Sequence, residues 1–459
     1  MHKAALSFFF LVFLLGIGSQ AQAYPYGILP SNRDYEKVLE YWEAYKQEHI
    51  SIGSGKASVS GLWEFQAFAM VFAAYLEEDD ELVSKLWNRV AADRIDWNGQ
   101  LWMEYSAADV LVDIGMGLDR AAVRWGGKWD DLAERWIKAL ENKLEPWNRK
   151  CGCWDAPSEK TGRGPLHCKA IAGDACGHYI NYYAFSHFFR FDQRTNQDLW
   201  MTEVMDACFH TMEWSYHNHE LPAWYVRMKD PDGDGEFEAM PVLPAEINNV
   251  SNTDKWDGGA TRTAWRVPFA YMAYGNQDAY RWSEKMLNFY KSKESDPGML
   301  SLYRPSSGAK YGGEGHTIVV CGAGVLACAM SDQDWADRVW DWLVDPANYN
   351  PHRQHDSQRL YCLLKMSGKF DVFGDATVAA DNATAPKPES ILRIPRGRIT
   401  RGFVKGLTGS LEESVLSYVD GLQKATIYTI QGQSVATVSG RRSLATAYYQ
   451  LAPGSYFIR

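Results

Sequence analysis

Leu82-Val83-Ser84-Lys85-Leu86-Trp87-Asn88-Arg89-Val90 places apolar residues at 82, 83, 86, 87 and 90, the three-and-four spacing of one helix face. The same stripe returns in Leu132, Trp136, Ile137, Leu140 and Leu144, in Trp282, Met286, Leu287 and Tyr290, and in Trp335, Val339, Trp340 and Leu343. From Asn32 to about Phe373 the period stays helical, and alternating strands are scarce. Amphipathic helices joined by long loops predict an all-α barrel or toroid whose loop-built end carries the site.

The period changes once. Asp375 to Ser390, with Ala379-Ala380-Asp381-Asn382-Ala383-Thr384-Ala385-Pro386-Lys387-Pro388, is small, polar and proline-bearing, and we read 375–392 as a linker. Beyond it Ala425-Thr426-Ile427-Tyr428-Thr429-Ile430 alternates and runs into the turn Gln431-Gly432-Gln433. Ser434-Val435-Ala436-Thr437-Val438 follows. Short strands with glycine turns predict a small β-sandwich-like module over 393–459, separate from a helical domain over 24–374.

The first 23 residues have the form of a secretory signal, with Lys3, the apolar run Phe8 to Leu15, and Ala21-Gln22-Ala23 before Tyr24. That run is too short to span a bilayer and no later stretch is long enough, so we expect a secreted or cell-surface protein without a membrane span. A net charge of -10 argues against nucleic acid and anionic membranes as partners, both of which need a basic patch. We expect a monomer. The chain has 19 Trp and 25 Tyr, enough to fill a core and also to line a polysaccharide groove with stacking platforms. Eight cysteines in an exported chain predict disulfides. Cys151, Cys153, Cys168 and Cys176 lack the paired spacing of a zinc site.

Three segments carry chemistry. In Leu62-Trp63-Glu64-Phe65-Gln66-Ala67-Phe68-Ala69-Met70 one carboxylate stands in an apolar, aromatic run. Losing hydration there would disfavour its charged form and suit it to act as a general acid. Asp109 and Asp113 lie four apart, on one helix face. Trp256-Asp257-Gly258-Gly259-Ala260-Thr261-Arg262-Thr263-Ala264-Trp265-Arg266 sets an acid ahead of two arginines that are also four apart. Paired carboxylates with cationic and aromatic neighbours are what a glycosidase needs: one acid protonates the leaving oxygen and one base activates water.

At these residues the chain resembles glycoside hydrolase family 8, inverting enzymes that act on β-glycans. Tyr24-Pro25-Tyr26-Gly27 is similar to that family's Y-P-F-G, and Glu64-Phe65-Gln66-Ala67-Phe68-Ala69-Met70 to its E-G-Q-x-Y-G-M. Ser106 through Ile114 and on to Arg124-Trp125-Gly126 resembles its Asp-bearing helix. Leu221-Pro222-Ala223-Trp224 resembles L-x-P-D-W, Arg262-Thr263-Ala264-Trp265-Arg266 resembles R-T-P-W-R, and Ser367-Gly368-Lys369-Phe370 the closing S-G-x-F. The resemblance implies an (α/α)6 barrel, with Glu64 as general acid and Asp109 holding the sugar at the scissile bond. It also implies Asp257 as the base, oriented by Arg262. Trp102, Trp125 and Tyr179 are our candidates for sugar stacking, Tyr179 by its register with the family's P-S-Y.

The departures bear on mechanism. The family places its base three residues before the first arginine, where this chain has Gly259, and Asp257 lies two positions earlier. Glu236, Glu238, Glu246 and Asp254 are alternatives for the base. Asp230-Pro231-Asp232-Gly233-Asp234-Gly235 has the first half of a calcium loop, but its twelfth position is Pro241. Asp230, Asp232 and Asp234 therefore suit either a structural calcium or a plain acidic turn, and no cofactor is required. The chain end resembles the sorting tails of type IX secretion, or else a small carbohydrate-binding module. The sequence thus predicts a secreted inverting endo-β-1,4-glycanase acting on a polysaccharide, cellulose or β-glucan first and xylan second. The alternatives are a chitosanase, a non-catalytic glycan binder on the same scaffold, or a helical-barrel lyase.

Overall fold

A computed structural model describes residues 24–94, 108–151, 169–171, 175–195, 199–205, 208–209, 212, 216, 219–222, 225–229, 238–241, 255–256, 259–349, 351–372, 425–429, 434–438 and 456–458. Side chains of 93–94, 108, 142–151, 202–203 and the strands at 169–179, 225–241 and 425–458 lie outside that description. The chain divides into two compact units, Met1–Ala385 and Pro386–Arg459.

The first unit is helical and sorts its helices by how they are buried. Trp63–Leu76 is buried on every side from Phe65 onward, Thr317–Ala329 throughout, and Arg353–Met366 from Asp356 onward. The first two are apolar nearly all round, which places them in the interior, whereas the third buries polar residues too, Asp356, Gln358, Arg359 and Lys365 among them. Glu81–Arg94, Gln277–Lys293 and Gln333–Val344 bury the stripes read from the sequence, including Trp87, Trp282 and Trp340, with a few neighbours such as Ala279, Phe289 and Ala336, and leave other residues exposed.

Inner and outer helices alternate along the chain. The inner ones are Trp63–Leu76, Ala108–Trp125, Phe185–Thr195, the pair Thr263–Arg266 and Pro268–Tyr274, Thr317–Ala329, and Arg353–Met366. Each packs on the next in that order, and the last packs on the first, so the circuit closes into a ring. Three of the outer helices start on side-chain caps. Asp34 accepts from the Glu36 N–H, Asn276 from Ala279 and Asp332 from Trp335.

The inner helices run the same way, and their C-terminal ends are closed by the chain's own start and finish. Tyr24 donates its hydroxyl to the Lys365 carbonyl at 2.9 Å, and the Ile28 N–H reaches the Cys328 carbonyl, also at 2.9 Å. Between them Gly27 has φ +75°, and a Cβ there would stand 2.6 Å from the Cys328 oxygen. Phe370 is fully buried and stacks on Tyr75 at 4.7 Å. The opening and closing motifs are thus the floor of the barrel, which leaves the N-terminal end open to carry chemistry.

Two expectations need correction. An antiparallel sheet of Lys169–Ile171, Ala175–Tyr179, Tyr225–Lys229 and Glu238–Pro241 interrupts the all-α reading. Its strands are too short for alternation to show in the sequence. Cys208, Cys321, Cys328 and Cys362 are free thiols buried in the core, not disulfide partners. Three of them sit inside all-buried helices, where a thiol packs as a small apolar group. Cys151, Cys153, Cys168 and Cys176 lie outside the described side chains, as do residues 1–23 and the stretch 375–392. No helix among the described residues is long and apolar enough to cross a membrane.

In the second unit, Ala425–Thr429 pairs antiparallel with both Ser434–Val438 and Tyr456–Ile458. A bulge falls between Ile427 and Tyr428.

Gly27→Ala should lower the unfolding free energy by about 2 kcal/mol or more, because it adds both backbone strain and a clash. Gly55→Ala, where a Cβ meets open space, should stay within about 0.5 kcal/mol. Urea unfolding midpoints of the two variants test this.

Candidate active site

The open end gathers the N-terminal turns of three inner helices. Glu64 is the second residue of Trp63–Leu76, and Asp109 the second of Ala108–Trp125. Arg262 closes the short 3-10 turn Ala260–Arg262 that leads into Thr263–Arg266. Helix N-termini carry partial positive charge, which favours carboxylates at such positions.

One guanidinium holds both acids. Arg262 Nη2 lies 2.8 Å from Glu64 Oε2, and Arg262 Nη1 lies 2.7 Å from Asp109 Oδ2. Asp109 also accepts from the Val110 N–H at 2.9 Å. The Arg262 guanidinium sits 5.3 Å from the centre of the Phe68 ring. Arg262 and Asp109 are buried, whereas the Glu64 side chain keeps 16% of its surface exposed. Glu64 is therefore the member of the cluster that a ligand in the opening can touch.

A second rung lies one helical turn deeper. Arg266 Nη2 donates to Asp113 Oδ2 at 2.6 Å, while His187 Nε2 and the Tyr361 hydroxyl reach Asp113 Oδ1 at 2.7 and 3.3 Å. The spacing of four in both helices makes the rungs: Asp109 and Asp113 face one side, Arg262 and Arg266 the other.

Burial sets the protonation of these groups. It pushes Asp109 up to about 6; the Arg262 charge opposes the rise and the Glu64 carboxylate adds to it. At Asp113 burial pulls upward too, but Arg266 and His187 outweigh it and hold this carboxyl below the usual range. Burial pushes His187 down to about 4 despite the pull of Asp113. A neutral His187 must then donate from Nε2 to Asp113, while Nδ1 accepts from the Ser186 hydroxyl at 3.0 Å. Lys365, enclosed by Trp265, Phe269, Tyr361 and Phe370, is pushed down to about 7, mainly by burial and then by Arg266.

The structure brings Glu64, Asp109 and Arg262 together. It places Glu64 against a guanidinium, where the sequence predicts an apolar sheath. Arg262 bridges two carboxylates on neighbouring helices, a contact that sequence spacing does not show. Trp125 is a correction. It ends the helix that Asp109 begins, about 24 Å away along the axis, and its ring lies under Arg124 at 4.7 Å. A residue at that end of the barrel cannot line the opening. Asp257, Trp102, Asp230, Asp232 and Asp234 lie outside the described residues, as do Glu236, Glu246 and Asp254. Tyr179 and Glu238 are described as strand backbone only. Among the described residues no group of three His, Cys, Asp or Glu could hold a metal ion. Sequence reasoning missed His187 and Tyr361; a lone His within Phe185-Ser186-His187-Phe188 gives no periodic signal that would single it out.

No protein-family model and no curated protein matches the chain. Solved structures do. A β-1,3-1,4-glucanase from Paenibacillus sp. X4 aligns at TM-score 0.61 and 19% identity, over 75% of this chain and 96% of that one. The endo-β-1,4-glucanase CMCax from Acetobacter xylinum aligns at 0.52 and 14%, over 73% and 98%. A cold-adapted family 8 xylanase aligns at 0.56 and 16%, over 75% and 93%. At these identities the shared property is the fold, and it spans nearly the whole of each neighbour.

Two outcomes are expected at this site. Asp109 titrates higher in the folded chain than in the unfolded one, so its contribution to stability is full below its ordinary range near 3.8 and is lost as pH rises towards about 6. Unfolding free energies measured from pH 4 to 7 should show that downward slope in the wild type, relative to Asp109→Asn. Arg262→Met strands two carboxylates against each other and should cost about 3–5 kcal/mol in the same assay.

Proposed function

We propose that the protein is a glycoside hydrolase cutting internal β-1,4 bonds of a polysaccharide, cellulose or mixed-linked β-glucan first and xylan second, with inversion. One observation carries this reading: Glu64, the partly exposed member, shares the Arg262 guanidinium with buried Asp109 at the open end of a helical ring. The glucanase and xylanase folds found among the neighbours support the substrate class.

In this mechanism Glu64 gives its proton to the glycosidic oxygen as the bond to the anomeric carbon breaks. A water attacks that carbon from the opposite face and loses its proton to Asp257. Room for this water requires the two catalytic carboxyls to stand about 6.5–9.5 Å apart. Asp109, buried behind Glu64, acts as a positioning residue through the Arg262 guanidinium that the two share. Arg266, Asp113 and His187 lock the lower rung and so fix the helix faces that present the upper one. The leading residues 1–23 and the tail 393–459 fit export, the tail as a sorting module.

Reducing-end release from lichenan, carboxymethyl cellulose, xylan and chitosan tests the proposal. Wild-type protein should release sugar from lichenan or cellulose ahead of xylan, and Glu64→Gln should lose about 10³-fold in kcat. Proton NMR of the first product should show the α-anomer. Glycan binding with no release from any of the four substrates would replace this reading with the non-catalytic one that Gly259 raises.

A further inference from the structure

Arg353 opens the inner helix Arg353–Met366, beside the start of Trp63–Leu76. Its guanidinium lies 5.3 Å from the centre of the Phe65 ring and packs against Gly61, where a Cβ would come within 2.0 Å of Nη1. Gly61, at φ +99°, leaves the room that this side chain occupies. Phe65 lies in the first turn of that helix next to Glu64, and Gly61 lies just before its start. Arg353 thus packs against residues on both sides of Glu64 in sequence.

Arg190, Arg194, Arg262, Arg266 and Arg359 each have at least one ion pair or hydrogen bond, although Arg262, Arg266 and Arg359, like Arg353, also bury guanidinium nitrogens without a partner among the described residues. Arg190 and Arg194 hold Asp119, Arg262 and Arg266 hold the two rungs, and Arg359 donates to Tyr41 and to the Leu343 and Asn348 carbonyls. Arg353 has no ion pair and no side-chain hydrogen bond among the described residues, and its Nε is buried without a partner. Acidic residues are not scarce, since the chain has 57 Asp and Glu against 47 Lys and Arg. A permanent cation held by a ring and a glycine at this helix start leaves a position for an incoming anion.

Three histidines cluster at the same helix start. His352 and His355 have ring centres 4.6 Å apart, and His355 and His316 5.1 Å apart. His316 starts the neighbouring inner helix Thr317–Ala329, so the cluster spans two helix ends on the same open face. Burial first, then His316 and His352, push His355 down to about 4. At neutral pH it brings hydrogen-bonding edges without charge, which suit hydroxyl groups.

We propose that Arg353, together with His316, His352 and His355, forms a subsite for a sugar bearing a carboxylate, adjoining Glu64 in the trench. The favoured substrate is then a β-glycan with hexuronic acid branches: the guanidinium takes the carboxylate in a two-pronged contact and the imidazoles take neighbouring hydroxyls. This deepens the proposed function and rests on its reading of the trench as a glycan site.

The experiment compares two ligands by calorimetry on the full chain. One is a xylo-oligosaccharide with a single hexuronic acid branch; the other is the same oligosaccharide with that carboxyl reduced to the alcohol. Wild type should bind the acid form about tenfold tighter at low salt, and the ratio should shrink as sodium chloride is added. Arg353→Gln should bring the ratio close to one, and Arg353→Lys should keep part of it. Each ratio is internal to one variant, so partial loss of folded protein does not distort it. A wild-type ratio of one, or a ratio that Arg353→Gln leaves intact, overturns the subsite. Hydrolysis of both ligands is followed in parallel: binding preference without any cleavage would sink the hydrolase reading and leave the subsite standing.

Discussion

Two arginines facing two aspartates, stacked one helical turn apart inside a ring of helices, constrain everything else in the first unit. Arg262 with Asp109 and Arg266 with Asp113 join Thr263–Arg266 to Ala108–Trp125 across the interior. Charges removed from water lose several kcal/mol of solvation each, and only close geometry with further hydrogen bonds offsets that. The lower rung has them, from His187 and Tyr361. The upper rung has Glu64. Such pairs contribute little net stability compared with apolar packing, yet losing one partner is costly, so they act to fix one arrangement of the helices.

That constraint explains where reactivity can sit. The lower rung is sealed, with Asp113 and His187 both buried. The upper rung opens through Glu64 alone. The same two residue types, repeated four positions on, give a structural pair in one place and a reactive cluster in the other. The difference is access to water, and depth in the barrel sets it. The floor contributes as well: Tyr24, Gly27 and Phe370 pack at the opposite end of the ring.

Much of this was legible in the residues. The stripes at Leu82 to Val90, Trp282 to Tyr290 and Trp335 to Leu343 became outer helices with those faces buried, because a period of 3.6 admits one answer once one side must leave water. The pairs Asp109 with Asp113 and Arg262 with Arg266 were visible as spacing. Their partnership was not, since 153 residues separate each arginine from its aspartate. Trp125 misled because an aromatic at a helix end looks the same at either end of a barrel. The cysteines misled because pairing depends on where helices place them: Cys321 and Cys328 share one inner helix and Cys362 lies on another, all in apolar surroundings.

The sequence by itself determined the helical class, the identity of the outer faces, the change of period near the C-terminus and the acids available for chemistry. These depend on local periodicity and residue type, which the chain carries in its order. Only the tertiary structure decided that Glu64 meets a guanidinium in place of an apolar sheath, that Asp109 is the buried acid whose titration moves upward, and that Arg353 meets no anion among the described residues. Each of these follows from which helix ends meet at the mouth of the ring. Closure of the ring joins residues far apart along the chain, so no local pattern could state it.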